Sequence, residues 1–199
     1  MSALSFRIVQ SHAAAPKPAQ SIEERLRAQI ENQDAELSRL RHASMQDPTT
    51  GGANMRCLAM AYDWLEEGDP VSILMVDIDG FHKVNDALGR HCGDALLTAI
   101  HTAIERELRW DDVVARESSD RFAVLLPLAI EEDAHAVGER LRKAIERMCF
   151  TSELGRFRVT VRVGCASRNG QEELNPVLGR ADAACRNARR QGGNMVFAV

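Results

Sequence analysis

The sequence predicts an α/β protein (an α+β sandwich), in which helices flank a mixed central sheet and one further helix precedes it. Three observations favour this class. Helical and strand patterns alternate along most of the chain, and one tight hairpin interrupts them near its middle. Hydrophobic residues occupy 45% of the 199 positions, which is enough for one core. A chain of this length is expected to form one main domain with an appendage.

The composition argues against several classes of function. The chain carries 25 Lys and Arg against 29 Asp and Glu, a net charge of −4, with two Trp, one Tyr and six Phe. Without a basic surface or abundant stacking platforms, neither DNA nor RNA is expected as a partner. Five cysteines, an odd number without a C-x-x-C pair, predict neither disulfides nor a zinc site. No signal peptide or apolar span is evident, so we expect a cytoplasmic protein without a membrane partner.

The N-terminal part is predicted to contain a flexible arm and a helix. Residues 1–20 show no sustained periodicity and contain two prolines, which predicts the arm. Residues 21–46 form a helical segment with a narrow apolar stripe, which is typical of a short parallel coiled coil and predicts a homodimer. Packing of this helix on its own domain is the alternative. The stripe consists of Leu26, Ile30, Leu37 and Leu40, with Gln33 at the intervening position.

The second domain is predicted at residues 47–199. Asp47-Pro48 ends the first helix, because the residue before a proline is displaced from helical geometry. A helical pattern at 54–66 ends at the turn Gly68-Asp69-Pro70, and the mostly apolar run at 71–79 predicts a buried strand. The later elements follow from amphipathic periodicity for helices and β-branched apolar runs for strands. They are a helix at 93–108, strands at 111–117 and 120–127, a helix at 131–148, a strand at 157–167, a helix at 175–190 and a strand at 194–199.

Carboxylates lie at the ends of two predicted strands. Asp77 and Asp79 end the strand at 71–79 and share one side of it if it stays extended. A two-residue connection, Ser118-Ser119, would place Asp120 beside Asp77 if the two strands are neighbours. Acids at the end of a buried strand need neutralisation, and phosphoryl-transfer sites commonly supply a magnesium ion. A solvated strand edge without metal is the alternative.

Four ordered segments within residues 47–199 resemble the GGDEF domain family, the diguanylate cyclases that condense two GTP molecules into cyclic di-GMP. DPTTGGANMR is similar to the family's D-x-L-T-G-L-x-N-R-R opening, and DIDGFHKVNDALGRHCGD to its D-I-D-x-F-K-x-I-N-D-x-x-G-H-x-x-G-D run. RESSDRF stands where R-x-G-G-D-E-F belongs, and RADAACRNARRQGGN where R-A-D-x-A-L-Y-x-A-K-x-x-G-R-N belongs. The resemblance implies the mixed sheet of nucleotidyl cyclases and a role in second-messenger signalling.

The resemblance also assigns roles to individual residues. It implies that Asp77, the backbone carbonyl of Ile78 and Asp120 are metal ligands. Asn85 and Asp94 occupy the positions that bind the guanine base, whose edge an amide and a carboxylate complement. The alternative is structural, with Asn85 capping a turn and Asp94 capping a helix N-terminus.

The signature segment departs from the family pattern. Ser118 and Ser119 replace two glycines, and a type I′ turn there would require positive φ at both serines. Arg121 replaces the signature glutamate and reverses a charge beside the expected metal. Within the five residues 118–122, Asp120 and Phe122 keep the family's residues, and the signature is predicted to be vestigial. Any magnesium site is therefore expected to be weak or lost, and no cofactor is expected to be required.

The phosphate-binding positions are also altered. His82 stands where a lysine is expected, although Lys83 is adjacent. Gly193 stands where the family has an arginine, whereas Arg189 keeps a positive charge at the lysine position of the last segment. The vestigial GTP site is therefore predicted to hold phosphates weakly.

A second binding motif is retained. Arg109 and Asp112 match the family's R-x-x-D product-inhibition site, and Arg140 falls where a secondary arginine reaches the same ligand. Arginine forms bidentate bonds to phosphate or guanine, and a carboxylate accepts hydrogen bonds from guanine N–H groups. An ordinary surface ion pair is the alternative for this short motif.

These observations favour a binding module over an enzyme. The leading hypothesis is a degenerate GGDEF domain, inactive or nearly so, that acts as a cyclic di-GMP receptor or regulator. An active or weakly active diguanylate cyclase is the first alternative. The second is an interaction scaffold that binds an unidentified protein partner and no nucleotide.

Overall fold

The computed structural model describes residues 22–199, and the arm predicted at residues 1–20 lies outside the described residues. The chain divides after Arg41 into two units. Helix α1, Ile22–Ala43, spans the described part of the first unit. Its stripe residues Leu26 and Ile30 are 54% and 57% exposed, so each has an apolar side chain largely uncovered. The side chains of the other two stripe leucines are not among those described, and the coiled coil stays a prediction.

The second unit contains an alternating series of helices and strands. Their bounds are β1 Ala53–Asn54, α2 Met55–Asp63, β2 Val71–Ile78, α3 Phe81–Leu88, α4 Arg90–Glu107, β3 Val113–Arg116, β4 Arg121–Pro127, α5 Glu131–Arg147, β5 Phe150–Ser152, β6 Gly155–Phe157, β7 Val161–Ser167, α6 Leu174–Arg190 and β8 Val196–Ala198. Across residues 22–199, every helix is too short or too polar to cross a lipid bilayer.

Six of these strands form one mixed sheet in the order β1-β3-β4-β2-β7-β8. Strand β2 lies in its interior, antiparallel to both β4 and β7. Strands β3 and β4 form the central hairpin, while β1 and β8 join the two ends in parallel orientation. The small β5–β6 hairpin is separate. The mixed sheet flanked by helices, which the sequence predicts, is confirmed.

Two hydrophobic layers cover the sheet, and every residue of β2 is buried. Leu74 and Val76 enter the layer formed with α4 and α5, whereas Ile73 enters the layer formed with α2 and α6. Burial on both faces explains why the run at 71–79 is apolar without a polar alternation. It also means that a charged side chain in β2 needs a partner to offset its loss of hydration.

The observed bounds differ from the predicted ones at two glycine turns. Helix α4 begins at Arg90 rather than at 93, and periodicity alone does not predict α3. Gly89, with a φ of 79°, connects these two helices without a longer loop. The strand predicted at 157–167 is divided, because the chain reverses at Gly155 and places Phe157 in the β5–β6 hairpin.

Candidate functional site

The acidic edge of the sheet lies where β2 ends, between β4 and β7. Asp77 is 9% exposed and is paired in register with Arg121 of β4 on one side and Arg162 of β7 on the other. Asp79 directly follows the strand and is partly buried. Each neighbouring strand therefore supplies a cation at the level of Asp77.

Arg162 binds both carboxylates. Its Nη2 lies 2.5 Å from Asp77 Oδ2, and its Nη1 lies 2.6 Å from Asp79 Oδ1. The second oxygen of Asp79 accepts hydrogen bonds from the Thr160 hydroxyl at 2.7 Å and from the backbone N–H of Asn194 at 3.0 Å. Burial alone would lower the pKa of Arg162, but its hydrogen bonds to the two carboxylates outweigh that effect and the pKa is raised. Arg162 is therefore a fixed positive charge.

Asp120 approaches the same edge, as predicted. Its backbone carbonyl accepts from the N–H of Ile78 at 3.1 Å, and its carboxylate accepts from the Ser119 hydroxyl at 2.9 Å. Burial raises the pKa of Asp77, Arg162 opposes that shift, and the charge of Asp120 adds to it. Oδ1 of Asp77 is buried without a hydrogen-bond partner among the described residues.

Arg121 turns toward helix α6. Its guanidinium pairs with Asp182, and its Nε lies 3.6 Å from a carboxylate oxygen of Glu117. Asp182 also pairs with Arg186 one helical turn along α6. Replacement of the signature glutamate by arginine is thus accommodated locally by two acids, but it still places a cation opposite Asp77.

The hairpin that carries the signature is longer than predicted, which corrects the expectation of a two-residue type I′ turn. Strand β3 ends at Arg116, and the N–H of Glu117 donates to the carbonyl of Arg121 at 2.9 Å, which closes a three-residue loop. Neither Ser118 nor Ser119 has positive φ. The longer loop does not need the primed-turn geometry that demands glycine. Arg116 holds the loop by donating to the carbonyls of both serines.

The acidic edge does not fit a ready-made metal site. Arg162 already binds one oxygen of Asp77 and one of Asp79, so a cation would have to displace it or lie against its positive charge. Within residues 22–199, no group of three or more His, Cys, Asp or Glu side chains is arranged to hold a metal. The metal roles of Asp77, Ile78 and Asp120 remain predictions.

The two residues assigned to guanine lie at the corner between α3 and α4. Asn85 packs against Gly93, where a β-carbon would come within 1.9 Å of the Asn85 Oδ1 atom. Asp94 is the next residue and is exposed. It cannot be the helix N-cap, because α4 begins four residues earlier at Arg90 and is preceded by Gly89. The Asn85 side chain therefore lies against the backbone of α4 beside Asp94. The guanine-binding roles of Asn85 and Asp94 stay predictions.

The predicted phosphate-binding residues are more dispersed. His82 and Lys83 are exposed on α3, and Arg189 is exposed at the C-terminal end of α6. Gly193 has a φ of 76°, and a β-carbon there would lie 2.7 Å from the Asp79 carboxylate. An arginine at position 193 would therefore be strained and would collide with Asp79.

The R-x-x-D motif forms the connection between α4 and β3. Oδ2 of Asp112 accepts from the backbone N–H of Arg109 at 2.8 Å, and the N–H of Asp112 donates to the Arg109 carbonyl at 3.3 Å. The exposed guanidinium of Arg109 makes no hydrogen bond or ion pair in the described part of the chain, so the alternative of a surface ion pair is not observed. Burial raises the pKa of Asp112, and the bond from Arg109 opposes this shift.

Arg140 reaches this connection from helix α5. Its Nε lies 3.2 Å from the Glu107 carboxylate, and its guanidinium also donates to the Glu107 carbonyl. Its charge favours the ionised form of Asp112 and opposes part of the rise in pKa that burial causes. Arg109 and Asp112 line a cleft of about 310 Å³, and Trp110 between them is 96% exposed. The three predicted residues are thus brought together beside an uncovered aromatic ring.

Comparison with known proteins decides the family. The family model described as diguanylate cyclase, GGDEF domain, matches residues 44–195. The chain belongs to the GGDEF domain family. Among curated relatives, the response regulator PleD of Caulobacter vibrioides is 30% identical over 195 residues, covering 91% of this chain and 43% of PleD. Diguanylate cyclase A of Treponema denticola is 33% identical over 132 residues, covering 66% of this chain and 36% of that protein.

Two solved structures agree with the fold. The coiled coil and GGDEF domain of DgcB from Caulobacter crescentus, in complex with cyclic di-GMP, match with a TM-score of 0.80 and 27% identity, covering 90% of this chain and all of that one (100%). Diguanylate cyclase SiaD, in complex with its activator SiaC from Pseudomonas aeruginosa, matches with a TM-score of 0.75 and 31% identity, covering 89% of this chain and 70% of that one. This GGDEF chain spans less than half the length of the curated relatives named above.

Sequence reasoning missed several residues of these GGDEF sites. Arg162 was not singled out, although a charged residue between Val161 and Val163 in a strand signals a buried ion pair. Its acidic partners could not be identified, because the pairing of β2 with β7 is not visible in the sequence. Arg116 and Glu107 could not be identified either. The role of Arg116 depends on the shape of the hairpin loop, and that of Glu107 depends on the packing of α4 against α5.

Proposed function

We propose that this GGDEF domain is a cyclic di-GMP receptor with little or no cyclase activity. The observation that carries the proposal is the arrangement of Arg109, Asp112 and Arg140 at one end of α4, with the Arg109 guanidinium exposed and uncommitted within the described residues. Two phosphates per ligand require cations, and guanine N–H groups require an acceptor such as a carboxylate. The complex of DgcB with cyclic di-GMP supports the choice of ligand.

Loss of the cyclase reaction is supported by charge. Catalysis by a GGDEF domain would require a divalent cation at the acidic edge, to offset the charge of the reacting phosphates. Arg121 and Arg162 instead bring fixed positive charges to Asp77. A guanidinium binds oxygens by hydrogen bonds and carries one charge, so it does not supply the Lewis-acid chemistry of a divalent metal ion.

Titration with cyclic di-GMP tests the proposal directly. The chain has two tryptophans, and Trp64 is remote in sequence from the R-x-x-D connection. In a Trp64→Phe variant the exposed Trp110 is the sole tryptophan, so saturable binding beside it is expected to change its fluorescence. Calorimetry checks the stoichiometry, and a parallel incubation with magnesium and GTP checks turnover. Saturable binding without product supports the receptor, product formation supports a cyclase, and the absence of both supports a scaffold.

Glu107 is expected to weaken the binding of cyclic di-GMP, because it holds Arg140 in an ion pair. Arg140 must leave its surface ion pair with Glu107 to reach a ligand phosphate. Such pairs contribute up to about 1 kcal/mol, so Glu107→Gln should tighten cyclic di-GMP binding by up to about fivefold in calorimetry. The gain should vanish when Arg140 is replaced by alanine in the same chain. Equal tightening in the presence and absence of Arg140 would show that Glu107 acts by another route.

The helical segment at residues 21–46 is proposed to dimerise the protein and to connect it to a protein partner. Leu26 and Ile30 are more than half exposed, and burying them in a helix pair would remove apolar surface from water. Replacing Ile30 and Leu37 by glutamate places charges in the seam and should yield monomers in sedimentation. Glutamate at two exposed polar positions of the same helix, Gln29→Glu and Asn32→Glu, adds the same charge and is the control. An unchanged mass for the seam variant contradicts the dimer.

A further inference from the structure

A buried arginine occupies the centre of the acidic edge. Arg162 is 7% exposed, and its neighbours along β7, Val161 and Val163, are fully buried. Arginine is almost never buried to this extent unless it is paired with acids, because loss of hydration penalises the charge. The position of this side chain therefore depends on the carboxylates that it meets.

The guanidinium bridges two acids through separate nitrogens. Nη2 binds Asp77 at 2.5 Å and Nη1 binds Asp79 at 2.6 Å, so a single cation is shared by both carboxylates. A divalent metal ion joins carboxylates in a comparable way. Unlike a divalent metal ion, the guanidinium carries one charge and offers only N–H donors, so it does not coordinate oxygen atoms or activate a bound water as a metal ion does.

The surrounding residues hold Asp79 in this arrangement. Thr160 and the backbone of Asn194 bind its second oxygen at 2.7 Å and 3.0 Å. Gly193 leaves the space that the carboxylate occupies, since a β-carbon at that position would lie 2.7 Å from it. Asp79 is therefore bonded on both oxygens and has little capacity left for a metal ion.

We infer that Arg162 is an internal cation that takes the place of a divalent metal ion at the acidic edge. Arg162 offsets part of the negative charge of Asp77 and Asp79, and the domain does not recruit magnesium or manganese there. This inference concerns the acidic edge alone and does not rest on cyclic di-GMP binding at the R-x-x-D motif.

Removing the arginine is expected to create a metal site. Arg162→Ser frees Oδ2 of Asp77 beside the unpaired Oδ1 and the nearby Asp120, and leaves uncompensated negative charge. Binding of Mn²⁺, followed by the loss of the free-ion signal in electron paramagnetic resonance, should strengthen by at least about tenfold over the unmodified chain. Mg²⁺ should raise the melting temperature of the variant and leave that of the unmodified chain unchanged.

Two further variants locate the effect. Arg147→Ser removes the same charge from an exposed position on α5 and should leave Mn²⁺ binding as weak as in the unmodified chain. Adding Asp77→Asn to Arg162→Ser should abolish the gain. Arg162→Gln keeps most of the side-chain length and replaces Arg162→Ser if that variant does not fold.

Mn²⁺ binding by the unmodified chain is a second test, and its result is read beside that of the Arg162 variants. Mn²⁺ binding by the unmodified chain that is lost in Asp120→Asn would overturn the inference, as would an Arg162 variant that folds and binds no more Mn²⁺ than the control. The inference would be supported if the unmodified chain bound no Mn²⁺ and the Arg162 variants folded only when Mg²⁺ was present.

Discussion

Arg109→Ala is expected to weaken cyclic di-GMP binding by about thirtyfold or more. The Arg109 guanidinium is free to contact a phosphate or the guanine edge, and losing a charged hydrogen bond in a partly desolvated complex costs about 2 to 5 kcal/mol. Isothermal calorimetry on the folded variant measures the loss. Arg109→Lys should recover only part of the affinity, because an ammonium cannot make the bidentate contact.

The partner carboxylate requires a gentler substitution. Asp112 also accepts the backbone N–H of Arg109, so Asp112→Ala would disturb the turn as well as the ligand. Asp112→Asn keeps an oxygen for that bond and removes the charge that favours guanine N–H donors, so a smaller loss than for Arg109→Ala is expected. Asp77→Ala and Asp120→Ala should leave affinity nearly unchanged. Loss of binding in those two variants, with retention in Arg109→Ala, would place the ligand at the acidic edge instead.

The unmodified protein is expected to produce no appreciable cyclic di-GMP from GTP. Removing a single transition-state stabilising group commonly costs about 10²–10³ in rate, and several features of the edge are altered together. Product chromatography after incubation with Mg²⁺ and GTP makes the measurement, with an active GGDEF domain as the positive control. Robust turnover would show that the edge tolerates both arginines.

Reversion of the signature separates its contributions. Ser118→Gly, Ser119→Gly and Arg121→Glu restore the family residues, but Arg162 still binds Asp77 in that variant. Activity is therefore expected to appear only when Arg162→Ser is added, and to remain limited by His82 and Gly193. Because Arg121→Glu breaks the pair with Asp182, folding must be verified by circular dichroism. Activity in the triple variant without the Arg162 change would assign the defect to the signature alone.

The fold could be predicted from sequence because its patterns are local. The apolar run at 71–79 and the amphipathic helix at 131–148 indicate their structures without knowledge of the partners, and the ordered family segments fix their arrangement. Helix α3 and the β5–β6 hairpin have short patterns, and their limits depend on Gly89 and Gly155.

Less of the candidate site could be predicted, because part of it depends on contacts between segments that are distant in the sequence. Asp77, Asp120 and the Arg109–Asp112 motif could be found because the family places them in recognisable segments. The shape of the Ser118-Ser119 loop could not, since it depends on where Glu117 and Arg121 close the hairpin. Arg162 required the register of β7 against β2, which becomes known only when the sheet is assembled.

The ion pair of Arg162 with Asp77 and Asp79 also differs from a metal site in its dependence on concentration. A dissociable ion occupies its ligands by mass action, so its contribution to stability follows its free concentration and disappears when a chelator removes it. A guanidinium belonging to the polypeptide is present once in every molecule, at an effective concentration set by the strand geometry. The acidic edge is therefore as stable in a cation-poor medium as in a cation-rich one.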